Sequence, residues 1–397
     1  MLLHSATHLF HEGEFANGLR DLFDIDALLR DFGAESRFWE KLIVRAAALG
    51  LGRSLYYTLQ TSSQILGTPV PAQVLAAVPE APRQHLHAAD VICRRQSVSI
   101  AWEVQCIRRA LARCDAPVVL LKGAAYEIAG LPVARGRLFS DVDILVPKAL
   151  LPAVESALLL EGWQASDHDD YDQHYYREWM HEIPPLRHVR RDTTIDVHHN
   201  ILPATARVRV DAQALIDAAI AVPGHEGVFT LQPVDMLLHS ATHLFHEGEF
   251  ANGLRDLFDI DALLRDFGAE SRFWDELIAR AAELGLGRSL YYALQTSSQI
   301  LGTPVPAQVL GAAQAWRPAG PVAALMRRCY RHALQPAHPS TETRSVRAAR
   351  MALYLRSHWL RMPFPLMVYH LGRKALLRPR KSGDAAAMPQ AQGERAP

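Results

Sequence analysis

The stretch Ser140-Asp141-Val142-Asp143-Ile144-Leu145-Val146 decides the fold, because it alternates polar and apolar residues as a β-strand does. Residues i and i+2 of a strand point to the same face, so Asp141 and Asp143 present two carboxylates side by side. Val142 and Ile144 then turn into the core. Two adjacent carboxylates repel each other, and a hard divalent cation such as Mg²⁺ is the best explanation for the pair.

Segments on both sides of this strand extend it into an α/β layer. Residues 117–121 (PVVLL) are a short apolar run that breaks into Lys122, which predicts a strand entering a turn. Residues 148–161 have the pattern of an amphipathic helix, and residues 193–198 (TTIDVH) alternate again. Strand and helix alternate over about a hundred residues, which is typical of an α/β layer.

Two further features bear on the chemistry of this layer. Asp196, within residues 193–198, adds a third carboxylate from another strand, enough to hold two metal ions. Gly123 stands where a strand meets a helix, a geometry that exposes backbone N–H groups to an anion. A phosphate beside metal-binding carboxylates is the setting for nucleotidyl transfer.

The chain also contains a copy of its own first segment. Residues 1–74 recur at 236–309, and within the first 75 positions only 40, 41, 44, 48 and 58 differ. Four of these five positions lie on one face of a helix, as expected for a solvent-facing surface. The repeat is a partial duplication, a gene fusion or a sequence error. Asp235 precedes the second copy as a predicted helix N-cap.

These patterns predict an α+β fold: a mixed sheet with flanking helices, plus two copies of an all-helical module. The predicted domains are a first copy (1–80), a helical lead-in (81–115), a core (116–232), a C-terminal helical domain (233–375) and a disordered tail (376–397).

Composition narrows the classes of partner and the compartment. Lys and Arg number 42 and so do Asp and Glu, so a nucleic acid is not a predicted partner. The four cysteines form no CxxC pair, and no signal peptide or membrane-spanning run is visible, so a cytoplasmic location is expected. Residues 356–381 mix aromatic and basic side chains and fit docking on the protein's own core or, less well, contact with a membrane surface.

The motifs together resemble a known family. The run LLKGAAYEIAGLPVARGRLFSDVDILV (120–146), with LEGW (160–163) and IDVHHN (195–200), is similar to the bacterial uncharacterised nucleotidyltransferase family. That family belongs to the minimal nucleotidyltransferase-fold superfamily. The segments PVDMLLHSATHLF and LRDLFDIDALL are similar to its C-terminal helical half.

The resemblance implies transfer of a nucleoside monophosphate from an NTP to an acceptor, with Mg²⁺, or Mn²⁺, as the metal. The acceptor is an unidentified small molecule, peptide or protein. Gly123-Ala124 departs from the usual Gly-Ser or Gly-Gly turn, which leaves the substrate open. The implied metal-binding and catalytic residues are Asp141, Asp143 and Asp196, and the implied nucleotide-binding residues are Lys122, Gly123, Arg137 and Ser140.

Several residues also have ordinary structural explanations. Lys122 and Arg137 are equally well explained as solvated cations. Asp259 and Asp261 form a second D-x-D, but on a predicted helix they point apart and would pair with Arg255 and Arg265.

Histidines offer a competing type of site. His239 and His243 have the spacing of a zinc helix, but Ser240 stands where HExxH needs glutamate, which favours a helix interface. Two alternatives to the transferase stay open. One is a catalytically inactive nucleotide-binding or interaction protein. The other, less well supported, is a metal-dependent hydrolase built on these histidines. Of His198 and His199, one should face the Asp196 site and one away.

Overall fold

The computed structural model of the chain describes residues 2–11, 18–35, 37–77, 84–137, 139, 141–165, 175–248, 250, 252–336 and 341–376. Ser140 and the predicted disordered tail beyond residue 376 lie outside these residues. The described part is a mixed α/β structure with one seven-stranded sheet and many helices.

The sheet has the order β3-β4-β5-β2-β1-β7-β6. Its central strands β2 and β5 are parallel, as are β1 and β7, and every other neighbouring pair is antiparallel. The strands are β1 (Val118–Leu120), β2 (Asp141–Leu145), β3 (Trp163–Ala165), β4 (Leu186–His188), β5 (Thr194–His198), β6 (Ile220–Ala221) and β7 (Val228–Thr230).

Helices precede, flank and follow the sheet. Two π-helical segments, Tyr175–Trp179 and His243–Glu247, interrupt the α-helical pattern. The α-helices are α1 (Leu2–His11), α2 (Gly18–Phe32), α3 (Phe38–Ala48), α4 (Gly52–Leu66), α5 (Ala72–Ala77), α6 (Gln84–Leu111), α7 (Lys122–Ile128), α8 (Leu151–Leu160), α9 (Ala212–Asp217), α10 (Pro233–Thr242), α11 (Gly253–Phe267), α12 (Ser271–Glu283), α13 (Gly287–Leu301), α14 (Ala307–Ala313), α15 (Gly320–Ala333), α16 (Arg344–Arg361) and α17 (Phe364–Leu376).

Two separate hydrophobic cores hold these elements. The larger core runs from Ile100 to Leu353 and joins the sheet to the helices that follow it. The smaller core lies within α1 to α5 and is formed by residues such as Ile25, Leu29 and Leu55. The sheet and the C-terminal helices therefore bury apolar surface against each other, whereas the first five helices bury theirs among themselves.

Asp235 does not have the predicted role of helix N-cap. Helix α10 begins at Pro233, with Gln232 as its N-cap and no side-chain capping bond. Proline at the first position explains this start, since its fixed φ suits a helix and it has no N–H to satisfy. Asp235 lies inside the first turn, where its carboxylate accepts from Arg280 Nε at 2.8 Å and Nη2 at 3.0 Å.

The C-terminal segment packs on the rest of the protein. Arg356 donates to the carbonyl of Phe245 at 2.9 Å, and the guanidinium of Arg207 lies 4.1 Å from the ring centre of Trp359. Among the described residues, no helix is both long and apolar enough to cross a membrane.

Candidate active site

Three aspartates meet on neighbouring parallel strands. Asp141 and Asp143 lie two residues apart on β2, and Asp196 lies on β5 directly opposite Asp143 in the strand register. Adjacent strands are about 4.8 Å apart, so register partners are close neighbours. All three side chains line one cavity. The structure thus brings together the carboxylates that the sequence predicts as a site.

Two side chains already contact Asp143. Its Oδ1 accepts from Lys122 Nζ at 2.9 Å and lies 3.0 Å from His198 Nε2. Lys122 reaches this position from a backbone with φ of +46°, a left-handed conformation that costs a non-glycine residue free energy. The amide of Leu121 also donates to the Asp143 carbonyl at 2.9 Å, which fixes the turn against β2.

These contacts set the charges in the site. Burial alone would raise the pKa of Asp143, but Lys122 and His198 hold it well below its usual value. Burial opposes the charge on Lys122, yet Asp143 raises the pKa of the lysine above its usual value. Burial, with the negative charges of Asp143 and Glu182, raises the pKa of Asp196 to about 7. Asp143 and Lys122 are therefore ionised, and no salt bridge joins Asp196 to a lysine or arginine within the described part of the chain.

Asp259 lines this cavity and keeps its predicted structural role as a member of an ion pair, but with a different arginine. Its carboxylate binds Arg137 in a buried ion pair, and the predicted pairing with Arg255 is wrong. Arg255 instead contacts Asp256 at 3.4 Å. The reason is tertiary: a guanidinium buried by the sheet domain needs a carboxylate, and helix α11 supplies one. The predicted partner of Arg265, Asp261, is confirmed at 2.9 Å.

The glycine turn is shaped by packing. A Cβ on Gly123 would lie 2.7 Å from Phe139 Cδ1 and 3.3 Å from Arg137 Nε, so a larger residue would displace both side chains. Gly123 is the second residue of α7, a helix of only seven residues.

Of the two adjacent histidines, one faces the cavity and one does not, as the sequence predicts. His198 faces the cavity, whereas His199 lies against Lys148 and Asn200 in another one. His239 is buried, and burial lowers its pKa well below the usual value. In the described part of the chain, the one group of three residues placed to share a metal is His181, Glu182 and His198, without His239 or His243.

The sequence did not link several residues that line the cavity to the three aspartates. Glu182 and His181 come from the loop before β4, Glu247 from the π-helical segment after α10, and Arg361 from the end of α16. The pair His181-Glu182 was visible as adjacent metal-ligand residue types. Glu247 and Arg361 had no local signal that linked them to the aspartates.

The cavity they form has a volume of about 310 Å³. Counted over the described residues, seven carboxylates line it against four lysine and arginine side chains. An excess of negative charge at a buried site favours binding of cations, and the cavity is within the usual size range of ligand sites.

A mixed sheet that carries Asp141 and Asp143 on one strand and Asp196 on the adjacent strand is the arrangement that the resemblance to a nucleotidyltransferase implies. The family model "Uncharacterised nucleotidyltransferase" matches residues 1–67 and 70–302, so the chain belongs to this family. The resemblance seen in the sequence is thereby confirmed. No curated protein and no solved structure matches the chain.

Proposed function

We propose that this protein is a Mg²⁺-dependent nucleotidyltransferase that moves a nucleoside monophosphate from an NTP to an acceptor. The observation that carries the proposal is the placement of Asp196 opposite Asp143, with Asp141 two residues away on the same wall of the cavity. The family match supports this class of reaction. The acceptor, a small molecule, peptide or protein, is unidentified, and a cytoplasmic location remains a prediction of the sequence.

The residues present fit a divalent metal ion. Asp196 Oδ1 is buried and has no hydrogen-bond partner among the described residues, so an acceptor atom with unused capacity points into an acidic site. Carboxylate oxygens are the ligands that Mg²⁺ prefers, and Mn²⁺ shares this preference. Asp141, Asp143 and Asp196 would hold the ion, which supplies positive charge to triphosphate oxygens when bound.

The cationic side chains have a separate role in the proposal. Lys122 and Arg137 lie at the cavity wall, each paired with one aspartate, and either can exchange that carboxylate for a phosphate oxygen. Arg361 lines the same cavity and is 8% exposed, and its Nε has no partner among the described residues. We therefore add Arg361 to the predicted phosphate-binding residues Lys122, Gly123, Arg137 and Ser140.

The second candidate is a protein that binds nucleotides and does not catalyse a reaction. It is favoured by one observation: the Lys122 ammonium and the His198 ring already bind the same oxygen of Asp143, which leaves this carboxylate less need of a metal ion. A hydrolase built on His239 and His243 has no such support.

The test measures binding and turnover separately. Each of the four common NTPs is titrated by calorimetry with and without Mg²⁺, and pyrophosphate release is followed with pooled small-molecule and peptide acceptors. Mg²⁺-dependent binding with pyrophosphate release supports the transferase, and binding alone supports the second candidate. Binding that is indifferent to Mg²⁺, with no pyrophosphate above an Asp143→Asn background, rejects the proposal.

We also infer that the helical segments formed by residues 1–74 and 236–309 are copies of one module. Their helices α2 and α11 have bounds shifted by 235 residues, as do α4 and α13. The same side-chain bonds recur in both: Trp39 Nε1 donates to the carbonyl of Gly33 at 3.0 Å, and Trp274 Nε1 to that of Gly268 at 3.0 Å.

A further inference from the structure

A group of metal-ligand side chains lies beside the three aspartates. One ring nitrogen from each of His181 and His198 and one oxygen of Glu182 all lie within 4.8 Å of one another. His181 is 5% exposed and His198 is 3% exposed. None of these three residues is among the proposed Mg²⁺ ligands Asp141, Asp143 and Asp196.

Backbone hydrogen bonds hold the group in place. Glu182 forms a β-bridge with His198, and the amide of His199 donates to the His181 carbonyl at 2.8 Å. The amide of Ile183 donates to Val197 at 3.0 Å. The segment that carries His181 and Glu182 is therefore fixed against the edge of β5, and its two side chains are positioned before any ion binds.

The hydrogen bonds of His198 are incomplete. Its Nε2 lies 3.0 Å from Asp143 Oδ1, so that nitrogen carries the hydrogen and a neutral ring has a lone pair on Nδ1. Nδ1 lies 3.3 Å from Glu182 Oε2, another acceptor, and has no hydrogen-bond partner among the described residues. Two acceptors this close need a cation or a shared proton between them.

His181 repeats this arrangement. Its Nε2 lies 3.3 Å from Glu247 Oε1, and its buried Nδ1 finds no hydrogen-bond partner in the described part of the chain. Each ring is therefore oriented by a carboxylate on one nitrogen and leaves the other unsatisfied. A carboxylate behind each ring is the usual outer arrangement of metal-binding histidines.

We propose that His181, Glu182 and His198 bind a divalent transition-metal ion, Zn²⁺, at a second metal site of the cavity. Imidazole nitrogens select such ions over Mg²⁺, whereas the all-carboxylate set of Asp141, Asp143 and Asp196 does the reverse. Three protein ligands leave a further coordination position for water or a ligand in the cavity. The inference does not depend on nucleotide transfer, because it concerns binding of the ion alone.

The experiment uses the full-length protein without an affinity tag, freed of metals with a chelator that is then removed. Co²⁺ is titrated while visible absorption reports nitrogen-containing four-coordinate binding, and Zn²⁺ is then added to displace it, with calorimetry in parallel. We expect about one Zn²⁺ per chain, bound in the absence of any nucleotide.

Substitutions test which residues bind the ion. His181→Gln, Glu182→Gln and His198→Gln should each weaken Zn²⁺ binding by more than the roughly 10- to 100-fold that loss of an outer partner costs. Glu247→Gln, which removes only the carboxylate behind His181, should fall within that smaller range. The matched control is His246→Gln, another buried histidine with an unpartnered ring nitrogen, which does not line the cavity and should leave Zn²⁺ affinity unchanged.

Two results would overturn the proposal. One is the absence of the Co²⁺ absorption band in a wild-type protein whose circular dichroism shows it to be folded. That result would mean a shared proton lies between His198 and Glu182. The other is Zn²⁺ affinity that is the same in wild type and in His181→Gln and His198→Gln, which would place the ion elsewhere. Asp141→Asn serves to separate the two sites, since it should weaken Mg²⁺-dependent nucleotide binding and leave Zn²⁺ affinity within a few-fold.

Discussion

Arg137 and Asp259 form a buried ion pair between the sheet domain and the helices that follow it, across 122 residues of sequence. The side chains are 10% and 12% exposed. The Arg137 guanidinium also lies 5.5 Å from the ring centre of Tyr126, whose hydroxyl is 2.7 Å from Ser240 Oγ on α10. The wall of the candidate site is thus built from both halves, and Arg137 is central to their contact.

We expect Arg137→Ala and Asp259→Ala each to destabilise the protein by about 3–5 kcal/mol, because each leaves an unpaired buried charge. The double variant should cost less than the sum, since it removes both charges. Urea unfolding measures all three. Arg113→Ala, which breaks an exposed pair with Glu161, is the control and should cost less than about 1 kcal/mol. Strictly additive losses would show that the pair is not coupled.

The carboxylates of β2 give the second prediction. Asp141→Asn and Asp143→Asn should lower Mg²⁺-dependent nucleotidyl transfer by roughly 100-fold or more, the scale of a single electrostatic group at a reaction centre. Pyrophosphate release with a saturating NTP measures the effect. Asp259 cannot serve as the control because it lines the cavity, so the exposed Asp266 on the same helix replaces it. An equal loss in Asp266→Asn would reject the assignment.

The third prediction concerns NTP binding by Arg361, a role that the sequence did not indicate. Its guanidinium lines the cavity from the end of α16, so Arg361→Gln should weaken NTP binding by several-fold to about 100-fold, as loss of a charge-assisted hydrogen bond does. Titration with Mg²⁺-NTP measures the change. Arg347→Gln, an exposed change on the same helix, should bind like wild type. If Arg361→Gln binds NTP as tightly as Arg347→Gln does, the phosphates lie elsewhere in the cavity.

The elements with strong local patterns could be predicted from the sequence. The runs 117–121, 140–146 and 193–198 predict strands, and β1, β2 and β5 confirm them. The spacing of Asp141 and Asp143 also predicts a shared face, because alternation is a property of the strand itself.

Features that depend on non-local packing could not be predicted in this way. Glu182 meets His198 through an isolated β-bridge, which leaves no periodic pattern in the sequence. Asp259 has an arginine four residues away and pairs instead with Arg137, because burial outweighs the local pairing rule. Asp235 is a residue type that favours the N-cap position, but the helix starts at Pro233, which places the N-cap at Gln232, three residues earlier.

Stability should depend on pH through His246. Burial, with the nearby charges of Arg356 and Arg361, lowers the pKa of His246 to about 4. An unfolded histidine has a pKa of about 6.5, so below that pH the unfolded chain binds a proton that the folded chain does not. Folding stability is therefore lost as pH falls from about 6.5 to about 4.

The variant His246→Gln should remove this contribution. Relative to wild type it should gain up to about 3 kcal/mol between pH 7 and pH 4, whatever its stability at neutral pH. Urea unfolding at several pH values measures the difference. Parallel stability curves for the two proteins would show that His246 is protonated in the folded state.

The last prediction concerns the first helical segment. Its apolar side chains form a core of their own, separate from the core that joins the sheet to the C-terminal helices. The ring of Phe23, in the first segment, stacks on the ring of Phe258 in α11, with ring centres 3.8 Å apart. None of the proposed metal or nucleotide ligands comes from residues 1–80. A chain that begins at Pro82 should therefore stay folded and bind Mg²⁺-NTP about as well as the full chain.

The complementary truncation should fail. A chain that ends at Gln232 loses Asp259, Glu247 and Arg361 from the cavity and exposes the apolar face that the sheet shares with α10 and α11. We expect it to aggregate, as measured by light scattering. Removal of the first segment exposes the ring of Phe258, so the chain that begins at Pro82 is also made with Phe258→Gln as a control for aggregation through this ring. Loss of NTP binding in a folded Pro82 chain, by calorimetry, would show that the first segment is part of the working site.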